Sequence, residues 1–263
     1  MNKKKLKKKF FSIITVVKND QANIEKTIKS VLAQTFKNFE YILIDGKSDD
    51  STLEIINKYQ KKISNILSEK DKGIYFAMNK GLKLANGHVL LFVNSGDLLT
   101  KNALKIIYNI FNKNKNIDFV FGTVKRHYSN LSIIKSGYNP LKLNFNFDFA
   151  TSHSTGFFIK LVSSKKVGSF NTKYKCSADY DFYYRAIFKK KLSGVATSKS
   201  ELVGIMSSGG YSSTVSFMGH LLEECLIRID NGQNFLLIMA IFFNAIFKRC
   251  LKLIKNLFLK IIY

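Results

Sequence analysis

Residues 39–52 read FEYILIDGKSDDST. A run of apolar, β-branched and aromatic residues leads to Asp45; Gly46 then permits a tight turn, and Ser48, Asp49, Asp50, Ser51 and Thr52 supply side-chain oxygens suited to starting a helix. Taken alone, this is an ordinary strand, turn and helix start. Its weight comes from the neighbours. FSIITVV at 11–17, ISNIL at 63–67, HVLLFVN at 88–94 and IDFVFGTV at 117–124 are further apolar runs. Between them, residues 22–33, 51–61, 74–85 and 101–111 carry apolar side chains at three- and four-residue spacing, with polar caps such as Asp20 and Ser51. Strand and helix patterns in alternation predict an α/β fold, with a mainly parallel Rossmann-like sheet flanked by helices. In such sheets ligands bind beyond the carboxyl ends of the strands, so the loops after Val17, Asp45 and Asn94 should line one site.

With 263 residues, 46% of them hydrophobic, the chain has enough apolar material for one full α/β domain and an appendage. The net charge of +24 is concentrated at the ends: Lys3, Lys4, Lys5, Lys7, Lys8 and Lys9 open the chain, and Lys248, Arg249, Lys252, Lys255 and Lys260 close it. Such charge seeks a polyanion, whether nucleic acid, anionic lipid or a diphosphate-bearing substrate. Cys176, Cys225 and Cys250 are odd in number and widely spaced, which fits neither a disulfide framework nor a zinc site and implies a reducing compartment. The basic start followed by an apolar run resembles a signal peptide, but the run stops at Lys18-Asn19-Asp20 without a small-residue cleavage site. It reads instead as a basic extension over 1–10 and then the first strand.

Residues 125–155 are less regular and hold the single proline, Pro140; they read as an excursion over the site. GFFIK at 156–160 is a strand, residues 179–190 are a helix opening at paired acids, and SSGGYSS is a loop. The chain therefore divides into 11–215, with a first half to 124 and a second half from 125, and a helical tail over 216–263. The first tail helix should end near Asn231-Gly232. The apolar run 235–247 is shorter than the roughly 20 residues a bilayer crossing needs. After it, Lys248, Arg249, Lys252, Lys255 and Lys260 fall on one helical face and Leu251, Ile254, Leu257, Phe258 and Ile261 on the other, the pattern of a helix lying in a membrane surface. Packing on its own domain or on a second subunit is the alternative.

Three acidic clusters could carry chemistry. The first is the stretch from Asp45 to Thr52. The second, Asn94-Ser95-Gly96-Asp97, follows a strand and suits a hard cation that shares phosphate oxygens, or equally an N-cap for the next helix. The third, Ala178-Asp179-Tyr180-Asp181, opens a helix, where a dipole favours carboxylates whatever their use.

All three occur in one chain and in a particular order. The stretch SIITVVKND…SVLAQTFKNFEYILIDGKSDDST…SEKDKGIYFAMNKGLKLANGHVLLFVNSGD resembles family 2 glycosyltransferases of the GT-A fold, most closely the branch acting in colanic acid, capsule and O-antigen synthesis. The likeness is close over 11–99, looser through HSTGFFIK and GSFNTKYKCSADYDFYYRA, and absent from the tail.

The resemblance implies that Thr15, Val17 and Asn19 border a nucleotide, that Asp45 recognises its base, and that Ser48, Asp71, Lys72, Gly73 and Asn79 shape the nucleotide pocket. It puts Asn94, Ser95, Gly96 and His153 near the donor sugar or acceptor, and assigns Asp97 to Mn2+ or Mg2+. Asn94 and Gly96 stand where the family carries acids, leaving one carboxylate ligand. Asp179 matches the general base, with Asp181 as runner-up. The reaction implied is inverting transfer from a nucleoside-diphosphate sugar to a glycan or lipid-linked acceptor in bacterial surface-polysaccharide synthesis. The enzyme would be cytoplasmic and peripheral on the anionic inner membrane through its basic and amphipathic termini. A non-catalytic nucleotide-sugar-binding protein is one alternative. Nucleic-acid binding is another, disfavoured because the lysines cluster at the termini, the aromatics occupy apolar periodic positions and no recognition motif appears. The first strand is not followed by G-x-G-x-x-G, which disfavours a dinucleotide-dependent dehydrogenase.

Overall fold

The computed structural model describes residues 8–127, 131–145, 154–207 and 214–262. The apolar runs form strands β1 (Phe11–Val17), β2 (Phe39–Asp45), β3 (Asn65–Ser68) and β4 (Val89–Phe92), linked by α1 (Ile24–Leu32), α2 (Thr52–Asn57) and α3 (Ile74–Leu84). After β4 come the two-residue β5 (Leu98–Leu99), then α4 (Ala103–Lys113), β6 (Phe119–Phe121), β7 (Thr123–His127) and β8 (Ser132–Lys135). The second half adds β9 (Phe157–Lys160), α5 (Leu161–Val167), α6 (Ala178–Tyr184) continuing into a π-turn at Arg185–Lys189, β10 (Gly194–Ala196) and β11 (Leu202–Met206). Two helices, α7 (Phe217–Asp230) and α8 (Phe235–Ile262), close the chain.

The large sheet has the order β10-β6-β9-β4-β1-β2-β3. All its strands are parallel except β9, which runs against both β4 and β6. Every residue of β1 is buried, as expected of a central strand covered on both faces. Its side chains alternate between two cores: Ile14 and Val16 pack on the side of α3 and α6, while Phe11, Ile13 and Val17 pack on the side of α1 and α4. A smaller sheet, β5-β11-β7-β8, flanks the first. The run IDFVFGTV thus serves both sheets. It changes from β6 to β7 at Gly122, where a side chain would stand 2.3 Å from Val203 Cγ2. The region from 125 onward is more regular than its composition suggests, because β7 and β8 form an antiparallel hairpin over the described part of it.

Close packing of α3 on the sheet depends on Gly81, where an added Cβ would meet Ile14 Cγ2 at 2.4 Å. Ile14 is β-branched and cannot turn that methyl away. Alanine would gain about 1 kcal/mol of helix propensity, but overpacking costs about 1–3 kcal/mol. Gly81→Ala is therefore expected to lower stability by up to about 2 kcal/mol, read from the midpoint of denaturant unfolding.

Candidate active site

Register brings the strand ends level. Val17 pairs with Asp45, and Asp45 with Ser68. The loops beyond them are knitted together: Gly46 N donates to Val17 O (2.8 Å), Asn19 N to Ser48 Oγ (2.9 Å), and Asp49 N to Asn19 Oδ1 (3.0 Å). Further along, Asp20 N donates to Thr52 Oγ1 and Ser51 N to Gln21 Oε1. Asn19 and Lys47 both adopt positive φ (51° and 58°), the left-handed conformation that short polar residues tolerate best. The oxygens placed after Asp45 thus brace the loop after β1. No side-chain hydrogen bond from Ser51 caps α2.

Asp45 is fully buried, and both carboxylate oxygens are engaged. Ser48 Oγ donates to Oδ1 and Ser68 Oγ to Oδ2, each at 2.5 Å, with Ser48 N also within reach. Ser68 is not singled out by the sequence; its pairing with Asp45 follows only from the β2–β3 register. Thr15 and Val17 are buried in the sheet. Thr15 Oγ1 donates to Val93 O (2.7 Å) and meets Tyr41 Oη, so it supports the β1–β4 junction from within. Of Thr15, Val17 and Asn19, Asn19 alone is exposed.

The turn after β4 continues the same edge. Ser95 N donates to Val16 O, and Ser95 Oγ to Asp20 Oδ2 at 2.6 Å. Gly96 has φ +92°, and a Cβ there would lie 4.0 Å from Asp20 Oδ2, so Asp20 borders the place where an acid at position 96 would stand. Asp97 is 7% exposed; its Oδ2 accepts from Thr155 Oγ1 (2.7 Å) and its carbonyl from Thr27 Oγ1. The helix-cap reading of Asp97 does not apply, because α4 starts only at Ala103 with Asn102 before it. Asn94 Nδ2 donates to Ser154 Oγ (3.2 Å), while Asn94 Oδ1 is buried with no hydrogen-bond partner.

This donor set fits a hard cation. Asn94 Oδ1 and the Asp97 carboxylate belong to one turn, closed by Asp97 N on Asn94 O. Among the described residues no three His, Cys, Asp or Glu side chains gather into a metal-binding group. A cation that keeps several waters and shares phosphate oxygens needs no more than this, whereas a structural zinc needs four protein ligands.

Across the β3–α3 connection, the Asp71 side chain is 5% exposed. Lys80 Nζ pairs with Asp71 Oδ1 at 2.5 Å and with Glu69 Oε1 at 2.7 Å. Burial works against the Lys80 ammonium, but the carboxylates of Asp71 and Glu69 outweigh it and raise its pKa. Lys72 is exposed, and Gly73, at φ 149°, precedes α3. The Asn79 amide clamps Phe170, donating to its carbonyl (2.9 Å) and accepting from its N–H (2.8 Å). It holds α3 to the turn after α5.

The acids of α6 part company. Asp181 is buried, with Oδ2 bound by Arg185 Nε (2.8 Å) and Oδ1 by Asn231 Nδ2 (3.1 Å). Asp179 is partly exposed; its Oδ1 accepts from Tyr75 Oη of α3 (3.3 Å) and from Tyr180 N. His153 lies outside the described residues. A cavity of about 200 Å³ lined by Phe10, His88, Phe111, Asn112, Lys115 and Lys160 opens at the opposite, amino edge of the sheet and touches none of these groups.

The family model described as glycosyl transferase family 2 matches residues 12–170. A PGL/p-HBAD biosynthesis glycosyltransferase of Mycobacterium bovis is 29% identical over 207 residues, spanning 75% of this chain and 79% of the relative. The Escherichia coli UDP-Glc:alpha-D-GlcNAc-diphosphoundecaprenol beta-1,3-glucosyltransferase WfgD is 32% identical over 136 residues, 51% of this chain and 53% of the relative. Among solved structures, S. aureus TarS 1–349 in complex with UDP-GlcNAc superposes with a TM-score of 0.69 at 19% identity, covering 84% of this chain and 66% of that one. The shared architecture is the GT-A fold.

The two acids of α6 should respond differently to amidation. Asp181→Asn weakens a buried ion pair and is expected to cost on the order of 3 kcal/mol, whereas Asp179→Asn should stay within about 1 kcal/mol of the parent. Urea unfolding of the two variants side by side measures the difference.

Proposed function

The chain belongs to glycosyl transferase family 2, and on that premise we propose that it transfers a sugar, with inversion, from a nucleoside-diphosphate donor to a glycan or lipid-linked acceptor in bacterial surface-polysaccharide synthesis. The observation that carries the assignment of roles is the separation of Asp179 from Asp181. Asp181 is taken up by Arg185 and Asn231, which leaves Asp179, partly exposed and touching α3, as the carboxylate for proton transfer. The relative WfgD, whose name specifies a diphosphoundecaprenol-linked acceptor, supports a lipid-linked substrate here.

Asp179 accepts the proton of the acceptor hydroxyl as that oxygen attacks the anomeric carbon. The new C–O bond forms on the face opposite the departing diphosphate, and the anomeric C–O bond to phosphate breaks with its electron pair. Asp71, a nearly buried carboxylate paired with Lys80 ahead of α3, meets N–H or hydroxyl donors of the donor's nucleoside. Asp45, with Ser48 and Ser68 on its oxygens, shapes the neighbouring wall and reads the base through those hydroxyls. Asn94 and Asp97 would hold Mn2+ or Mg2+, which, when bound, supplies charge neutralisation for the leaving diphosphate.

The tail provides the membrane contact. In α8, Ile238 and Ile241 are buried against the domain, but every residue from Phe247 to Ile254 is exposed, Phe247, Leu251, Leu253 and Ile254 together with Lys248, Arg249 and Lys252. Among the described residues no helix is long and apolar enough to cross a membrane. A mixed apolar and cationic helix without acids complements an anionic bilayer surface.

Asp179→Asn is expected to lower turnover by about 10²–10⁴-fold while leaving nucleotide-sugar binding measurable by calorimetry; transfer at the parental rate would remove Asp179 from the role. Deleting residues 235–263 should move the protein from the membrane fraction to the supernatant after cell lysis, and persistence in the pellet would count against the tail as anchor.

A further inference from the structure

The segment before α6 is held by a carboxylate from another helix. Glu223 of α7 accepts from Lys175 N at 2.6 Å through Oε1, and from Cys176 N (2.9 Å) and Ser177 N (2.7 Å) through Oε2, which also meets the Cys176 thiol at 2.9 Å. Three consecutive backbone N–H groups thus end on one side chain two residues before Asp179. Burial alone would push the Glu223 carboxyl up, but the thiol and the three N–H groups outweigh it and hold it below its ordinary range. On the other side, the Tyr75 phenol reaches Asp179 Oδ1 from α3, a helix more than a hundred positions away in sequence. Tyr75 is itself buried and stacks on Phe170, so it has little freedom to swing away.

We infer that Glu223 and Tyr75 are positioning residues for Asp179: Glu223 fixes the backbone from which the acid projects, and Tyr75 aims its carboxylate. This rests on the reading of Asp179 as the general base. A base must stand within hydrogen-bond reach of the proton it takes, and displacement of about 1 Å can cost roughly 100-fold in rate. The other residues of α6 are buried in the core, whereas Asp179 is the partly exposed one, and its carboxylate is met from α3 and the backbone before it from α7. Tyr183 on its own helix and Cys176 in the held segment are further ionisable neighbours of Asp179. Burial first and Asp179's charge second push the Tyr183 phenol well up, and burial with the Glu223 hydrogen bond pushes the Cys176 thiol up to about 12, so both are neutral near pH 7. Tyr75 Oη donates to the charged form alongside Tyr180 N, and its removal should make Asp179 easier to protonate.

The test uses the full-length chain with Tyr75→Phe and Glu223→Gln. Turnover is read as release of nucleoside diphosphate, with whichever member of a UDP- and GDP-sugar panel the parent consumes, and donor binding is read separately with UDP and Mn2+. Each variant is expected to lose roughly tenfold in kcat with an unchanged Kd for UDP. In Tyr75→Phe the acid limb of the pH–rate profile, and the titration of the Asp179 carboxyl carbon followed by NMR, should move to higher pH. The carboxyl titration needs no substrate and keeps the proposal testable if no panel sugar is consumed. An unmoved Asp179 titration with parental kcat in Tyr75→Phe would overturn the role of Tyr75. A Glu223→Gln protein that melts lower but turns over at the parental rate per folded molecule would reduce Glu223 to a structural tie. Failure of the base reading is separable, because it appears as activity in Asp179→Asn itself.

Discussion

The pairing of β1 with β2, and of β2 with β3, is the constraint on which the rest depends. Parallel strands in register end on one side, so their polar loop residues gather along a single edge. Val17, Asp45 and Ser68 stand level there, and the turn from Asn94 to Asp97 joins them through Ser95 N on Val16 O. A one-residue slip in β2 would send the side chain of Asp45 to the other face of the sheet and break the brace formed by Ser48 and Asn19. The many hydrogen bonds between the loops after β1 and β2 are therefore the lock on a register that the apolar strands alone, rich in interchangeable Ile, Leu and Val, hold less firmly.

Several acids of this edge have their oxygens committed within the protein. Asp45 is bound by two serines, Asp97 by Thr155, and Asp181 by Arg185 and Asn231. These contacts meet the requirement that a buried carboxylate receive donors. Asp71 is met by an ammonium, that of Lys80, which also pairs with Glu69. Arg228 of α7 is the matching cationic case. It is fully buried, its guanidinium donates to Tyr180 Oη and Gln233 Oε1, and it lies over the rings of Tyr180 and Tyr184. The second half is thus fastened to α7 by groups that would be costly to leave unpaired.

The strands and helices of the first half were legible in the sequence because apolar periodicity there is strong and the connections are short. FSIITVV and FEYILID match β1 and β2 end for end. The antiparallel course of β9 was not legible: GFFIK is a short apolar run, and such a run carries no mark of direction. Nor was the burial of Asp181 beside a partly exposed Asp179. Two positions apart on a helix means about 200° around its axis, so one acid must turn inward, but which one depends on where α7 packs. Asn79, which the motif puts by the pocket, clamps Phe170 through its amide, a contact that no local pattern announces. Asp20 reads as a helix cap, yet its carboxylate borders Gly96.

Because β9 runs against its neighbours, it begins where they finish. Its lead-in residues Ser154 and Thr155 reach Asn94 and Asp97 before the strand has started, at the edge that collects the ends of β1 to β4. Ser154 and Thr155 are therefore delivered to that edge by the direction of β9 itself. The reversed course of β9 thus gives that edge two polar side chains, which one more parallel strand would have set at the far side of the sheet.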